Sequence, residues 1–585
     1  MWSGAAFIMF LLSAPAGLNE TDTTESDPLS LRLTLEHLLE VDPTDPIFIS
    51  MLVDRDPVGE EEIRDPQIPR SSLTLGFGLE RGVQAGGGGS GSEWTGSPLR
   101  GLIRMDLRCA PGVAVGATCE KDAGERLDLG FCSAYLACAG LPLGGEMIVG
   151  DYRLRAGCGL VAGGGVSPMG MAEGLRGAAR GDELVPHRSR DEFSFLRGLA
   201  LRFAPARRWR ILLFSSRRTF SASGEGHAPS LSTNSLFRTA AEIGRRGEIL
   251  ERIAGGRVVL SAGSVSAGVT VSSAWFSPAL ARGGAGTPEG SRALMVGADF
   301  TFHPGPFLLS GEIARSPGGG FGVILLASIP AGRYSYVAAG VQALAPEFVG
   351  YRSAGAVTPS SSNDVALRIL VQVGSSSLTQ LRGSLIQHWT PSIPSSRNSL
   401  STGWSGSVGG SIGIGGGWRL DGALRFRRGD DELSFAAEGG GREKRRVLTV
   451  RNSARVSLRG RVGRIETVTL LERARSCDGS GGDEEFGEQL HEECVWRPVG
   501  WLGISLMATL FSSDSYGART TSLEEDPISR MQYVALDGEG FRWVCAMRVA
   551  PPLSGMTLLL LLSGEKGSGA LSTRSAWGVR TRWTW

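Results

Sequence analysis

Gly417-Trp418-Arg419-Leu420-Asp421-Gly422-Ala423-Leu424-Arg425-Phe426-Arg427 alternates with a period of two. Trp418, Leu420, Leu424 and Phe426 fall on one side, and Arg419, Asp421, Arg425 and Arg427 on the other. Successive side chains of a strand point to opposite faces, so this stretch reads as a strand with one apolar and one charged face. The same pattern recurs on both sides of it. Val365, Leu367, Ile369, Val371 and Val373 oppose Asp364, Arg368 and Gln372. Ile103, Met105 and Leu107 oppose Arg104, Asp106 and Arg108, and Val456, Leu458 and Val462 oppose Arg455, Ser457, Arg459 and Arg461.

Alternation alone fits a soluble sandwich, with a core on the apolar side, or a membrane barrel, with lipid there and a wet lumen opposite. Three features favour the barrel. The strands read as about 9–11 residues, the length of a tilted span. They continue over most of the chain. Tight connections alternate with longer polar ones at 350–363, 389–402, 477–494 and 512–529, as short periplasmic turns and longer outer loops do. The longest apolar run after the first residues, near Met556 to Leu562, is far short of a spanning helix. A spanning structure made of strands must be closed, because lipid leaves no water to satisfy a sheet edge.

The ends agree. Phe7–Leu12 is a short apolar core followed by Ala14-Pro15-Ala16 and polar Asn19–Asp22, the order of an export signal and its cleavage site. At the other end Trp577, Val579, Thr581, Trp583 and Trp585 alternate with Ala576, Gly578, Arg580, Arg582 and Thr584. An aromatic last residue is similar to the terminal strand through which the barrel-assembly machinery recognises its clients, so that machinery and outer-membrane lipid are the expected partners. Trp583 and Trp585 also suit an interfacial aromatic girdle.

Composition narrows the function classes. Lys+Arg number 60 against Asp+Glu 59, which gives no reason to expect nucleic acid as partner. The 85 Gly follow no collagen period and sit in turns and alternating segments.

Four stretches, in order, resemble an uncharacterised family of outer-membrane barrels from Bacteroidetes-type bacteria. They are Glu120-Lys121-Asp122-Ala123-Gly124-Glu125, Gly150-Asp151-Tyr152-Arg153-Leu154-Arg155-Ala156-Gly157-Cys158-Gly159-Leu160, Arg188–Gly198, which contains Glu192 and Arg197, and Phe237-Arg238-Thr239-Ala240-Ala241-Glu242. The family usually has Phe and Gln where Ala156 and Cys158 stand, and His where Phe237 stands. The resemblance implies a barrel and, in many members, an N-terminal helix-hairpin-helix module. Here the helix-like Leu31–Leu39 runs within a few residues into Pro43, Pro46, Pro57, Pro66 and Pro69, which leaves no room for that module or for the nucleic-acid role it would bring. The polar residues of the blocks, Glu120, Asp122, Glu125, Asp151, Glu192, Arg197, Arg238 and Glu242, are candidates for polar networks inside a wide barrel, with Arg153, Arg155 and Arg197 as partners.

No catalytic constellation stands out, and no cofactor is expected. Gly409-Gly410-Ser411-Ile412-Gly413 matches the nucleophile-elbow spacing but sits in a Gly-rich alternating strand followed by another strand rather than before a helix. Six His are scattered without metal-ligand spacing. Gly86–Ser92 reads as a flexible loop, and Arg428-Gly429-Asp430 as a hairpin turn. Cys477 and Cys494 bracket an acidic loop and are the candidate disulfide.

The expected order is a signal at 1–16, a short acidic, Pro-rich periplasmic segment at 17–71, and one all-β antiparallel transmembrane barrel at 72–585. About 20–26 strands are expected, an even number if both ends lie in the periplasm. Thr239–Ala254, with Ile243, Ile249, Leu250 and Ile253 apolar among Arg and Glu, reads as one helical insert that caps or plugs the lumen. The functional classes are a conduit or uptake-associated barrel of unknown substrate, a scaffold for macromolecule handling, and an enzyme, for which no residues speak.

Overall fold

The computed structural model describes residues 72–84, 94–163, 183–223, 229–231, 236–281, 288–332, 334–353, 363–376, 379–390, 402–436, 442–478, 484–526, 530–552, 555–567 and 574–584. The export signal, the segment at 17–71, Gly86–Ser92 and Trp585 lie outside them.

Each alternating segment forms a strand paired antiparallel with the next, and the first, Ser72–Gln84, pairs with the last, Arg574–Thr584, through Leu75 opposite Trp583 and Leu79 opposite Val579. The sheet is therefore closed. Of its 25 strands, one, Leu184–Pro186, pairs only with Gly145–Leu154 from inside, so 24 form the wall. Closure leaves no edge to be satisfied by water.

The connections sort by end. At the end that carries Ser72 and Thr584 they are two to six residues long, and at the other they run from five to 41. That asymmetry places the short turns on the periplasmic side and the long connections outside.

The strand faces match the alternation. Leu424, Val456, Val373 and Ile103 are all more than half exposed, while Asp421, Arg455, Arg368 and Asp364, their neighbours of opposite parity, are buried. Aliphatic side chains thus point out of the barrel and charged ones point in. Tryptophans on the outward parity gather near the two rims: Trp209, Trp418, Trp496 and Trp583 toward the short turns, and Trp275, Trp389, Trp404, Trp543 and Trp577 toward the long connections. An aliphatic belt between two aromatic girdles is the surface of a barrel held in lipid. Among the described residues no helix is long and apolar enough to cross a membrane, so the strands do so.

Several local expectations change. Only Ala240–Gly244 of the segment Thr239–Ala254 is helical, and Ile249–Ala262 is a wall strand. Ile249 and Ile253, which suggested a helix face, are also an even number apart and lie buried on the inward face. Arg428-Gly429-Asp430 is no turn but lies inside the strand Trp418–Ala436. The expected loop at 477–494 is mostly strand, because Ile465–Asp478 and Glu485–Val499 extend toward each other beyond the membrane-spanning length.

The same extension separates the candidate disulfide. Cys494 stands opposite Thr467, whereas Cys477 is ten positions further along that strand, about 33 Å away at ~3.3 Å per residue. Both thiols are free. The disulfide is instead Cys119–Cys132, whose residues face each other directly across adjacent strands.

Candidate functional site

A membrane barrel of this size encloses space that its own side chains cannot fill. Long connections fold back into part of it. Residues 155–163, 183–195 and 345–353 pack against the inward faces of the strands from Phe131 to Gly374, and apolar residues fill much of the contact along this arc. Its inner face includes Tyr152, Leu212, Phe214, Ile249 and Phe276 around Leu154, Leu184 and Tyr351. A second cluster sets Ile324, Leu326 and Leu344 around Leu160, Val161 and Phe348. Outside these contacts, charged wall residues fix the infolded backbone. Glu312 accepts the N–H groups of Cys158 at 2.7 Å, Leu160 at 3.0 Å and Val161 at 3.2 Å. Arg257 holds Glu183 of the infolded segment at 2.9 Å and Asp299 of the next wall strand but one at 2.5 Å. Arg352 reaches Glu251 at 2.9 Å, and Arg218 donates to the carbonyls of Glu192 and Phe193. Gly157 has a φ of +57°, and a Cβ there would stand 2.8 Å from the Glu312 carboxylate, so the close approach requires glycine.

The four sequence blocks meet at the long-connection end. Glu120 faces inward and pairs with Arg100 at 3.2 Å and with Arg190 of the infolded segment at 2.7 Å. Asp122 also pairs with Arg100, at 3.2 Å. Glu125 accepts the N–H of Phe237 at 2.7 Å and that of Asp122 at 3.2 Å. Burial pushes the Glu125 carboxyl up from its ordinary range, with those two N–H groups pulling the other way. Thr239 caps the short helix reciprocally with Glu242, which also pairs with Arg238 at 3.1 Å. Asp151 pairs with Arg197, its direct register partner. That pair lies on the outward parity, one step beyond exposed Val149 and Leu199, and so is a rim contact and not a lumen one. The blocks therefore tie the rim and the infolded segments together. Among the described residues no group of His, Cys, Asp and Glu is placed to hold a metal ion.

The connection 514–538, whose first part falls in the outer loop expected at 512–529, includes a hairpin of Thr520–Asp526 and Arg530–Leu536 lying inside the lumen. One face of its first strand, Thr520, Ser522, Glu524 and Asp526, is buried against the wall. Arg542 of the wall binds Glu524 at 2.6 and 2.8 Å and the wall residue Glu565 at 2.7 Å. Arg548, six positions further toward the periplasmic end, pairs with Glu525. Gln489 and Arg455 donate to the Thr521 carbonyl, and Arg455 also pairs with Glu472 at 2.5 Å. The hairpin thus runs about 20 Å down the wall.

Glu312, Arg257, Glu524 and Arg542 were not singled out from the sequence. Glu312 carried a faint signal, a lone carboxylate within Leu308–Ala314. The others differ in no local way from the many charged residues of this chain.

A closed antiparallel barrel with an aliphatic belt, two aromatic girdles and a charged interior is an outer-membrane β-barrel protein. No family model and no curated protein matches the chain. It is similar to the siderophore receptor PirA from Acinetobacter baumannii, at 7% identity and a TM-score of 0.42, over 89% of this chain and 81% of that one. The copper transporter OprC is 10% identical with a TM-score of 0.43, over 89% and 82%. The translocation pore of the P pilus usher PapC is 10% identical with a TM-score of 0.34, over 88% and 99%. At TM-scores below 0.5 these likenesses do not bear on cargo.

Proposed function

We propose that this barrel is a gated conduit, a transport-associated outer-membrane protein whose lumen is narrowed by its own connections. The observation that carries the reading is the lumenal hairpin Thr520–Leu536. It is held to the wall mainly by ion pairs and hydrogen bonds, from Arg542, Arg548, Gln489 and Arg455. These contacts are polar, and water or a polar solute entering the lumen can take over each donor and acceptor as the hairpin leaves the wall. The opposite arc is different. Its infolded segments share an apolar core with the wall, which resists opening. The hairpin is thus the movable part and the apolar arc the fixed part.

Conductance across planar bilayers tests this. The purified chain should give small or intermittent currents. A variant in which residues 516–535 are replaced by a short Gly-Ser linker should give larger, steadier ones. Equal currents from the two proteins would remove the hairpin as a gate, and absence of current from both would remove the conduit.

A further inference from the structure

The lumen wall is not evenly charged. The strands Gln380–Trp389, Thr402–Gly415, Trp418–Ala436 and Arg442–Val462 are consecutive in the barrel. Their inward parity carries Arg382, Arg419, Arg425, Arg427, Arg451 and Arg459. Among the described residues over the depth of these arginines, the inward carboxylate on the four strands is Asp421, 2.7 Å from Arg419, with Asp431 and Glu443 on the same parity further out toward the long connections. On the next strand Glu472 is paired with Arg455, and Glu466 near the short turns pairs with Arg497 at 2.7 Å. The register arranges the guanidiniums in depth. Arg419 stands opposite Arg459 near the short turns, and Arg427 opposite Arg451 eight positions further out. Arg382 is level with Ala423, between them. Eight positions at ~3.4 Å per residue and a tilt near 40° is about 20 Å of depth, most of the roughly 25 Å apolar band.

The strand between the arginine-bearing ones is small. Ser405, Ser407, Gly409 and Ser411 face inward, opposite Arg427, Arg425, Ala423 and Asp421. They leave space beside the guanidiniums and add hydroxyls. Arg382, Arg419, Arg425, Arg427 and Arg451 each make a further interaction. A guanidinium fork fits oxyanions in two-pronged fashion, and rings or files of arginine select anions in pores.

We infer that this wall is an anion track, and that the solutes it favours are small ones bearing phosphate or carboxylate groups. The inference rests on the conduit reading. The test measures reversal potential in a tenfold KCl gradient for the wild-type chain and for Arg382→Glu/Arg425→Glu/Arg427→Glu. If the intact chain carries no current, the linker variant at 516–535 serves as background. Heat-modifiable gel mobility confirms that each barrel is formed. Chloride should permeate several-fold better than potassium in the parent, and the charge-reversed variant should prefer potassium. Arg425→Gln/Arg427→Gln should lie between. Millimolar inorganic phosphate should reduce chloride current in the parent and not in the reversed variant. Current with cation preference, or with a preference indifferent to the substitutions, overturns the anion track and leaves the conduit standing. Absence of current from both backgrounds overturns the conduit itself.

Discussion

The Glu312 carboxylate accepts the backbone N–H of Cys158 at 2.7 Å across 154 residues of sequence, and with two further N–H groups it pins an infolded turn to the wall. Replacing Glu312 by Ala leaves three buried donors without this acceptor. The local cost should be on the order of 3 kcal/mol. Cys158 is buried beside it, which gives a direct readout. Maleimide should label Cys158 slowly in the native barrel and much faster in Glu312→Ala, with Cys109 serving as the exposed reference. Equal labelling of Cys158 in the two proteins would show that Glu312 does not hold the turn.

Facing along the strand Trp418–Ala436 separates lipid from lumen at neighbouring residues. Leu424 is 61% exposed on the outward parity, and Arg425 points inward. Leu424→Arg should cost about 2–4 kcal/mol if placed near the bilayer midplane, and Arg425→Ala far less. A spin label at 424 should be relaxed by oxygen dissolved in lipid, and one at 425 by a water-soluble agent. Water accessibility at both would contradict the membrane barrel.

The alternating strands were legible because a period of two is local and survives without knowledge of partners, and closure followed because strands in lipid cannot leave an open edge. The infolded segments were not. The stretch 512–529 is polar with turn signals, as any outer loop would be, and what draws Glu524 inside is Arg542, 18 residues later on the following wall strand. Glu120, Asp122, Glu125 and Asp151 were visible as candidates through their sequence blocks, and Arg197 as a partner for them, but Arg100, Arg190 and Phe237 are brought to them by register and by the fold-back. Ile249 and Ile253 show the converse ambiguity, since a spacing of four serves a helix face and a strand face alike.

The cysteines make a covalent test of register. Non-reducing peptide mapping should find Cys119 joined to Cys132 and should find Cys477 and Cys494 as thiols. The bridge closes a 13-residue separation and should contribute about 3 kcal/mol by restricting the unfolded chain. Since the sheet already pairs the two strands, Cys119→Ser/Cys132→Ser should still form a barrel, with a lower unfolding midpoint. A Cys477–Cys494 peptide would mean that the register of Ile465–Asp478 against Glu485–Val499 is wrong.

His187 gives the infolded segment a dependence on pH. It is almost wholly buried, stacks on Phe195 with ring centres 4.3 Å apart, and donates its backbone N–H to the Asp151 carbonyl at 3.0 Å. Burial, with Arg153 adding to it and Asp191 and Asp151 opposing, lowers its pKa from 6.5 to about 4. A histidine with a depressed pKa favours the folded state while it is neutral. Its contribution is whole above about pH 6.5 and is lost as the pH falls toward 4, because the released segment then takes up a proton that the docked one refuses. The change over that window is at most on the order of 3 kcal/mol. Limited proteolysis at 183–195 should therefore speed up between pH 6.5 and 4, while the apolar arc beneath stays protected. His187→Phe keeps the stacking and removes the titration, so its cleavage rate should stay flat over the same range. An equal acid response in His187→Phe would assign the loosening to the carboxylates that Arg190 and Arg257 hold, Glu120 and Glu183, and not to this imidazole.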